Sequence, residues 1–281
     1  MPARRTVAVI TGGGGGMGLA TARILGRSHS VLLADIGHDG LSAARAELDG
    51  LGIEAESMVC DITDRSAVEA VVDRAASIGP IAAVVHAAGL SPQMADARSI
   101  LTVNALGTVN VTHAVLPHAH SGLRLVNVAS MAAHLVPRAV LPRRSYPLAA
   151  TNPDRFLSRV MQRVNLAPKS LRPGMAYPIS KDFVVWYSKR LASSFGAEDA
   201  GIVSVSPGSI DTAMGRLEAD HGAAEMLKFA AIKRFGSVEE IAEVLAFCAS
   251  DKARYLTGTD VLCDGGVVAG VRRRDLLRVQ H

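Results

Sequence analysis

Short β-branched and aliphatic runs alternate with longer helical stretches from Thr6 onward, and no other property of the chain restricts its fold so strongly. The runs 6–11, 30–35, 55–61, 81–88, 123–129, 201–206 and 260–263 read as strands. The stretches 17–28, 40–50, 65–78, 97–117, 177–195 and 238–250 read as helices. Strands separated by helices of this length build βαβ units, whose crossovers are right-handed and whose parallel sheet is covered on both faces. No internal repeat or low-complexity linker interrupts the pattern, so residues 1–281 read as one α/β domain.

The chain can bury such a sheet, since 49% of it is apolar. Aromatic residues make up only 4% and glycine occurs 26 times, which suits small side chains packed between helices and sheet. The net charge of +4 hides an uneven distribution. Residues 137–175 carry Arg138, Arg143, Arg144, Arg155, Arg159, Arg163, Lys169 and Arg172 against Asp154 alone. The end of the chain adds Arg272, Arg273, Arg274 and Arg278 against Asp275, and the rest is mildly acidic. That distribution excludes a general nucleic-acid surface. Cys60, Cys248 and Cys263 lie far apart with no metal-ligand or disulfide spacing. Residues 1–6 run straight into a strand with no signal peptide, and no apolar stretch reaches the roughly 18 residues of a membrane span. The expectation is a cytoplasmic protein with no metal, no membrane partner and no nucleic-acid partner.

The first strand joins the first helix through Thr11-Gly12-Gly13-Gly14-Gly15-Gly16-Met17-Gly18. Glycines there let backbone approach a pyrophosphate without Cβ clashes, and the helix N-terminus offers free N–H groups and partial positive charge. Asp35 closes the second strand, where a carboxylate accepts hydrogen bonds from ribose hydroxyls and repels a 2′-phosphate. With no Arg or Lys in the loop or directly after Asp35, the reading is NAD rather than NADP. Asp61 either bonds an adenine amino group or caps the helix beginning near Asp64.

Tyr177 and Lys181 are four residues apart and share a helix face. A phenol ordinarily titrates near pH 10, and lowering it toward neutrality takes about 4 kcal/mol of differential stabilisation. A neighbouring ammonium group and an oxidised nicotinamide ring both favour the phenolate. Pro178 disfavours helical geometry in the residue before it, so Tyr177 is expected at the helix start.

With these motifs in place, the chain resembles the short-chain dehydrogenase/reductase family in its compact single-domain branch. Thr11-Gly12-x-x-x-Gly16-x-Gly18 is similar to its cofactor loop, and Val103-Asn104-Ala105 to its helix-four Asn. Val128-Ala129-Ser130 is similar to its catalytic Ser, and Tyr177 with Lys181 to its acid/base pair. Pro207-Gly208 followed by Thr212, then Tyr255-Leu256-Thr257-Gly258 and Asp264-Gly265-Gly266, are similar to its later motifs. The resemblance implies a Rossmann-type doubly wound sheet of seven parallel strands, and a homodimer or homotetramer. It implies catalysis by Asn104, Ser130, Tyr177 and Lys181. Ser130 would hold the substrate oxygen, Lys181 the nicotinamide ribose as well, and Asn104 a relay water. It places cofactor contacts at Gly12, Gly16, Met17, Gly18, Asp35, Asp61, Ile62, Ala88, Gly89, Tyr177, Lys181, Pro207, Gly208, Ile210 and Thr212.

Two features depart from that pattern. His86-Ala87-Ala88-Gly89 stands where the family has Asn-Ala-Ala-Gly, which reads as altered packing or hydrogen bonding at the sheet centre. Between Ser130 and Tyr177 lie residues 131–176, rich in Pro and Arg, in place of roughly a dozen residues. Bacterial 3α-hydroxysteroid dehydrogenase/carbonyl reductases are similar in carrying extra sequence there. Within this segment 154–164 reads as a helix capped by Asn152 with Pro153 at its first position. Three roles stay open for it: a surface elaboration that reshapes oligomer contacts, a lid over an apolar substrate, or an anion binder. The segment 209–235, with Met214, Met226, Leu227 and Phe229, reads as a flap over an apolar small-molecule substrate or as core. The expected activity is NAD-dependent hydride transfer on a secondary alcohol or ketone, possibly alicyclic or steroid-like. The alternatives are an NADP-dependent acyl-thioester reductase and a catalytically idle dinucleotide sensor.

Overall fold

The computed structural model describes residues 5–218 and 224–271. The basic tail from Arg272 and part of the predicted flap, residues 219–223, lie outside the described residues. The first half alternates as expected: β1 (Val7–Thr11), α1 (Gly16–Leu25), β2 (Ser30–Asp35), α2 (His38–Gly50), β3 (Ala55–Val59), α3 (Arg65–Ile78) and β4 (Ile81–His86). One helical run follows, made of α4 (Ala97–Leu101), a π turn (Thr102–Leu106) and α5 (Gly107–Val115). After β5 (Arg124–Val128) come α6 (Ala132–Leu135), α7 (Leu148–Thr151), α8 (Pro153–Val164), α9 (Arg172–Arg190) and α10 (Ala192–Gly196). The chain continues through β6 (Gly201–Pro207), α11 (Ala213–Glu218), α12 (Ala224–Met226), α13 (Val238–Cys248), β7 (Asp260–Cys263) and α14 (Val267–Gly270).

All seven strands are parallel, in the order β3-β2-β1-β4-β5-β6-β7. The order reverses between β1 and β4, where an open α/β sheet leaves a crevice at its strand ends. Ile10, Val85, Val126 and Val203 face α1 and α13, while Val9, Val84, Leu125 and Ile202 face the opposite layer. Local chemistry sets the helix ends. Asp64 caps α3 by accepting from the Ser66 and Ala67 N–H groups. Ser237 and Glu240 close a reciprocal capping box on α13.

Two sequence expectations are corrected. The run Ala97–His118 is long and apolar enough to cross a membrane, with mean hydropathy 1.3, but 61% of its window is buried inside the protein. It is a core helix. Tyr177 does not open its helix either: α9 begins at Arg172, with Pro178 inside it. The missing Pro178 N–H costs one rung of the ladder. Burial of Ala176 beside it, and of Ile179 after it, offsets that loss.

The insertion forms a third layer. Phe156, Leu157, Val160 and Val164 of α8 occupy one helix face and pack with Ile100 and Leu101 of α4 and with Phe183 and Tyr187 of α9. Asn152 accepts from the Arg155 N–H and caps α8 as the sequence indicated. A buried polar contact fastens the layer down. Asp182 accepts from the Tyr146 hydroxyl (2.9 Å) and from both ends of the Arg143 guanidinium, including Nε at 3.0 Å. Asp182 is 1% exposed, so it depends on those partners. Replacing Asp182 with Ala is expected to lower unfolding free energy by about 3 kcal/mol in urea titrations, because Tyr146 and Arg143 lose their anionic acceptor.

Candidate active site

The C-terminal ends of β4, β5 and β6 open onto one cleft of about 370 Å³. The glycine loop lies beside it and reaches it through Met17. Gly12 has φ +69°, and a Cβ there would meet the Ala88 nitrogen at 2.7 Å. A Cβ on Gly18 would stand 2.2 Å from the Gly12 carbonyl oxygen, so α1 starts directly against the loop. The Asp35 carboxylate accepts from the Gly14 N–H (3.0 Å) and the Gly37 N–H (3.3 Å). The acid at the end of β2 is thereby held against the loop.

β4 supplies one wall. Thr11 and His86 are register partners, and Thr11 Oγ1 shares a 2.7 Å hydrogen bond with His86 Nδ1. Burial, aided by the Lys181 charge, pushes His86 down to about 3, so the ring is neutral at ordinary pH. His86 thus stitches β1 to β4, as its place in the sequence indicated. Asn104 lies behind Gly89 in the π turn, which forms where the Gly107 N–H reaches Thr102. Asn104 Oδ1 accepts from the Leu90 N–H (2.8 Å), while Nδ2 donates to the Leu90 carbonyl (2.9 Å) and to Ser180 Oγ (3.0 Å). Ser180 donates in turn to the Tyr177 carbonyl (2.7 Å).

Lys181 is 7% exposed, and its Nζ donates to the Val128 carbonyl at the end of β5 (3.0 Å). That nitrogen stands 5.9 Å from the centroid of the Tyr177 ring. Ser130, two residues beyond β5, accepts from the Ala132 N–H (3.2 Å). Ser130, Tyr177 and Lys181 all line the cleft.

Of the other residues marked by the sequence, Met17, Gly89, Pro207, Gly208, Ile210 and Thr212 also line this space. A Cβ on Gly208 would meet the Asp264 Cα at 2.6 Å. The Thr212 hydroxyl accepts from the Gly215 N–H (2.9 Å) at the head of α11. Gly12, Gly16, Gly18, Asp35, Asp61, Ile62 and Ala88 do not line the cleft; they sit along the neighbouring β1–β3 edge and the turn after β4. Asp61 does not cap α3, since Asp64 does; its Oδ1 instead accepts from the N–H and hydroxyl of Thr63, both at 2.8 Å. Ile62 is buried and packs against Gly107.

The body of the insertion packs away from the cleft. Among the described residues, only its two ends line the cleft, through Met131, Ala132, Leu135 and Gly174. The apolar face of α8 is already occupied by the core layer beneath it. The flap reading divides. Met214 and Met226 line the cleft, whereas Leu227 faces a smaller cavity and Phe229 packs beside Ala230 and Val267. Ser180 and Asp182 were missed by sequence reasoning, although both flank Lys181. Their partners, Asn104, Arg143 and Tyr146, come from distant segments that only the fold brings near.

A doubly wound parallel sheet, with a glycine-lined turn and a Tyr–Lys pair at its switch point, defines a dinucleotide-binding oxidoreductase architecture. Residues 6–142 match the family model of short chain dehydrogenases, and residues 161–268 a related model described as Enoyl-(Acyl carrier protein) reductase. The chain belongs to the short-chain dehydrogenases/reductases, which are NAD(P)-linked oxidoreductases. The unmatched centre, 143–160, falls within the insertion. A short-chain dehydrogenase/reductase of Alternaria brassicicola is 31% identical over 93% of this chain and 95% of its own. The cis-4-hydroxycyclohexanecarboxylate dehydrogenase of Sinomonas cyclohexanicum is 29% identical over 94% and 96%. A short chain dehydrogenase from Burkholderia cenocepacia, solved with NADP, is 25% identical with TM-score 0.75, covering 94% of this chain and 98% of its own.

One titratable contact borders the cleft. His134 on α6 bonds Asp260 of β7 through Nε2 (2.9 Å), and that bond raises its pKa above the ordinary 6.5. A histidine raised in this way stabilises the fold fully below 6.5, and the contribution fades as pH climbs through the folded value. The stability difference between wild type and His134→Gln is therefore expected to be larger near pH 6 than near pH 8 in urea unfolding.

Proposed function

We propose that this protein is an NAD-dependent oxidoreductase of secondary alcohols and ketones, with an alicyclic or steroid-like substrate. The observation that carries the reading is the convergence of Ser130, Tyr177 and Lys181 on one cleft, with Lys181 anchored to the Val128 carbonyl. Met17, Leu90, Met131, Leu135, Met214 and Met226 make the walls largely apolar, which fits a hydrophobic substrate skeleton. The relative named for a hydroxycyclohexanecarboxylate supports a ring-shaped substrate. Kinship with bacterial 3α-hydroxysteroid dehydrogenase/carbonyl reductases belongs to the same proposal and rests on the extra segment before Tyr177.

The residues present suit a dinucleotide. Gly12 and Gly18 keep the loop clear where any Cβ would clash, and the α1 N-terminus supplies N–H groups for a pyrophosphate. Gly12, Gly16, Met17 and Gly18 would hold the phosphates, and Asp35 the adenosine ribose. Lys181 and Thr212 would hold the nicotinamide end. When bound, the dinucleotide supplies the carbon that takes or gives the hydride. In oxidation, the Tyr177 phenolate takes the proton from the substrate hydroxyl while Ser130 hydrogen-bonds the same oxygen. In reduction, the phenol returns that proton to the carbonyl oxygen. The Lys181 ammonium, one turn along α9, stabilises negative charge on the phenol oxygen. Asn104 joins Leu90 to Ser180 and so positions the helix that carries both groups.

A screen of alcohols and ketones, followed by nicotinamide absorbance, identifies the substrate. On that substrate, Tyr177→Phe is expected to reduce kcat by about 10²–10⁴-fold while leaving dinucleotide affinity intact. Undiminished turnover would refute the acid/base assignment.

A second reading, an NADP-dependent acyl-thioester reductase, draws support from the family model matched by residues 161–268 and from the NADP-bound homologue. Asp35 separates the two. Wild type is expected to prefer NAD, and Asp35→Ala to move the NAD/NADP affinity ratio toward NADP by about tenfold or more. A clear wild-type preference for NADP would end the first reading.

A further inference from the structure

Beyond the cleft, the insertion builds a second groove of about 860 Å³ that shares no lining residue with it. Arg138, Arg143, Arg144, Arg159 and Arg163 line it, together with Gln162. These arginines come from three separate pieces of chain: the stretch after α6, the turn before α7, and one face of α8. Arg143 is neutralised by Asp182. Arg138, Arg144, Arg159 and Arg163 form no ion pair with any described residue. Asp154, the only acid in 137–175, lies in the first turn of α8 and does not line the groove. Like charges repel, and the fold brings the other four arginines together with no acid among the groove's lining residues.

We propose that this groove is a binding site for a phosphate-bearing small molecule carrying two or more negative charges. Guanidinium groups present paired donors that match phosphate oxygens, and several pieces of chain let them approach one ligand from different directions. The volume lies within the range of small-molecule sites. The groove also borders the cleft. Leu135 lines one and Arg138 the other, three residues apart, so their Cα atoms are at most about 11 Å from each other. The ligand is thus either the charged tail of a molecule whose reacting end lies in the cleft, or a separate anion bound beside it.

The test is calorimetric titration of inorganic pyrophosphate into the full chain saturated with NADH or NADPH, which keeps the probe off the glycine loop. Saturable binding is expected. Arg159→Ala/Arg163→Ala should weaken it by about tenfold or more. Arg155→Ala/Lys169→Ala removes the same charge from the same segment without touching the groove, and should weaken it by less than about threefold. No saturable binding, or equal losses in the two double variants, would overturn the proposal. This measurement is independent of the reaction assigned to the cleft. Two ketones differing only in a terminal phosphate separate the sources. A lower KM for the phosphorylated one in wild type, lost in Arg159→Ala/Arg163→Ala, marks a substrate tail. Equal KM values with pyrophosphate still bound mark a separate anion.

Discussion

The seam between α9 and the end of β5 is the constraint on which the site depends. A buried ammonium group needs acceptors, and Lys181 takes one from the backbone of Val128. Asn127 of the same strand donates to Ser188 of the same helix (3.0 Å), and Asn104 reaches Ser180 from the opposite side. These contacts set both the height and the rotation of α9 over the sheet. Tyr177 inherits its place from them, since it shares a helix face with Lys181. Asp182, held by Tyr146 and Arg143, extends the seam outward into the insertion. One helix thereby joins the sheet, the cleft and the added layer.

The sheet prepares that seam with a polar row. Thr11, His86, Asn127, Ser204 and Asp260 are successive register partners across β1, β4, β5, β6 and β7. The row below is apolar, through Val9, Val84, Leu125 and Ile202. The polar row is itself buried: Thr11, His86, Asn127 and Ser204 are each less than 5% exposed. Within the row, Thr11 bonds His86, and Ser204 donates to Asp260 (2.5 Å). A polar side chain there costs little only when paired, and the register provides most of the pairings.

The fold was legible because periodicity is local. The strand runs and their helices occur in the order the alternation implies, and Ser30–Asp35, Arg65–Ile78 and Asp260–Cys263 match their expected limits. The glycine loop was legible for the same reason, since close backbone approach leaves few alternatives to glycine. Local rules failed where distant packing prevailed. Pro178 argued for a helix start, but burial of Ala176 and Ile179 against the third layer extends α9 upstream. Asp61 and Asp64 are equivalent as caps by composition, and only backbone geometry selects Asp64. The insertion was the least legible part. The helix at 154–164 and its Asn152 cap were visible, but its receiving surface on Phe183, Tyr187 and Ile100 exists only after folding. The groove of arginines likewise comes from segments that are separate along the chain.

The central claim is that Tyr177 and Lys181 work as one unit because α9 holds them together at the end of β5. Single-turnover hydride transfer in Lys181→Met tests it most directly, with Tyr177 still present and helical content checked by circular dichroism. The account predicts a loss of about 10²-fold or more in the transfer rate at neutral pH, with the fold retained. A folded Lys181→Met protein that transfers hydride at the wild-type rate would contradict it.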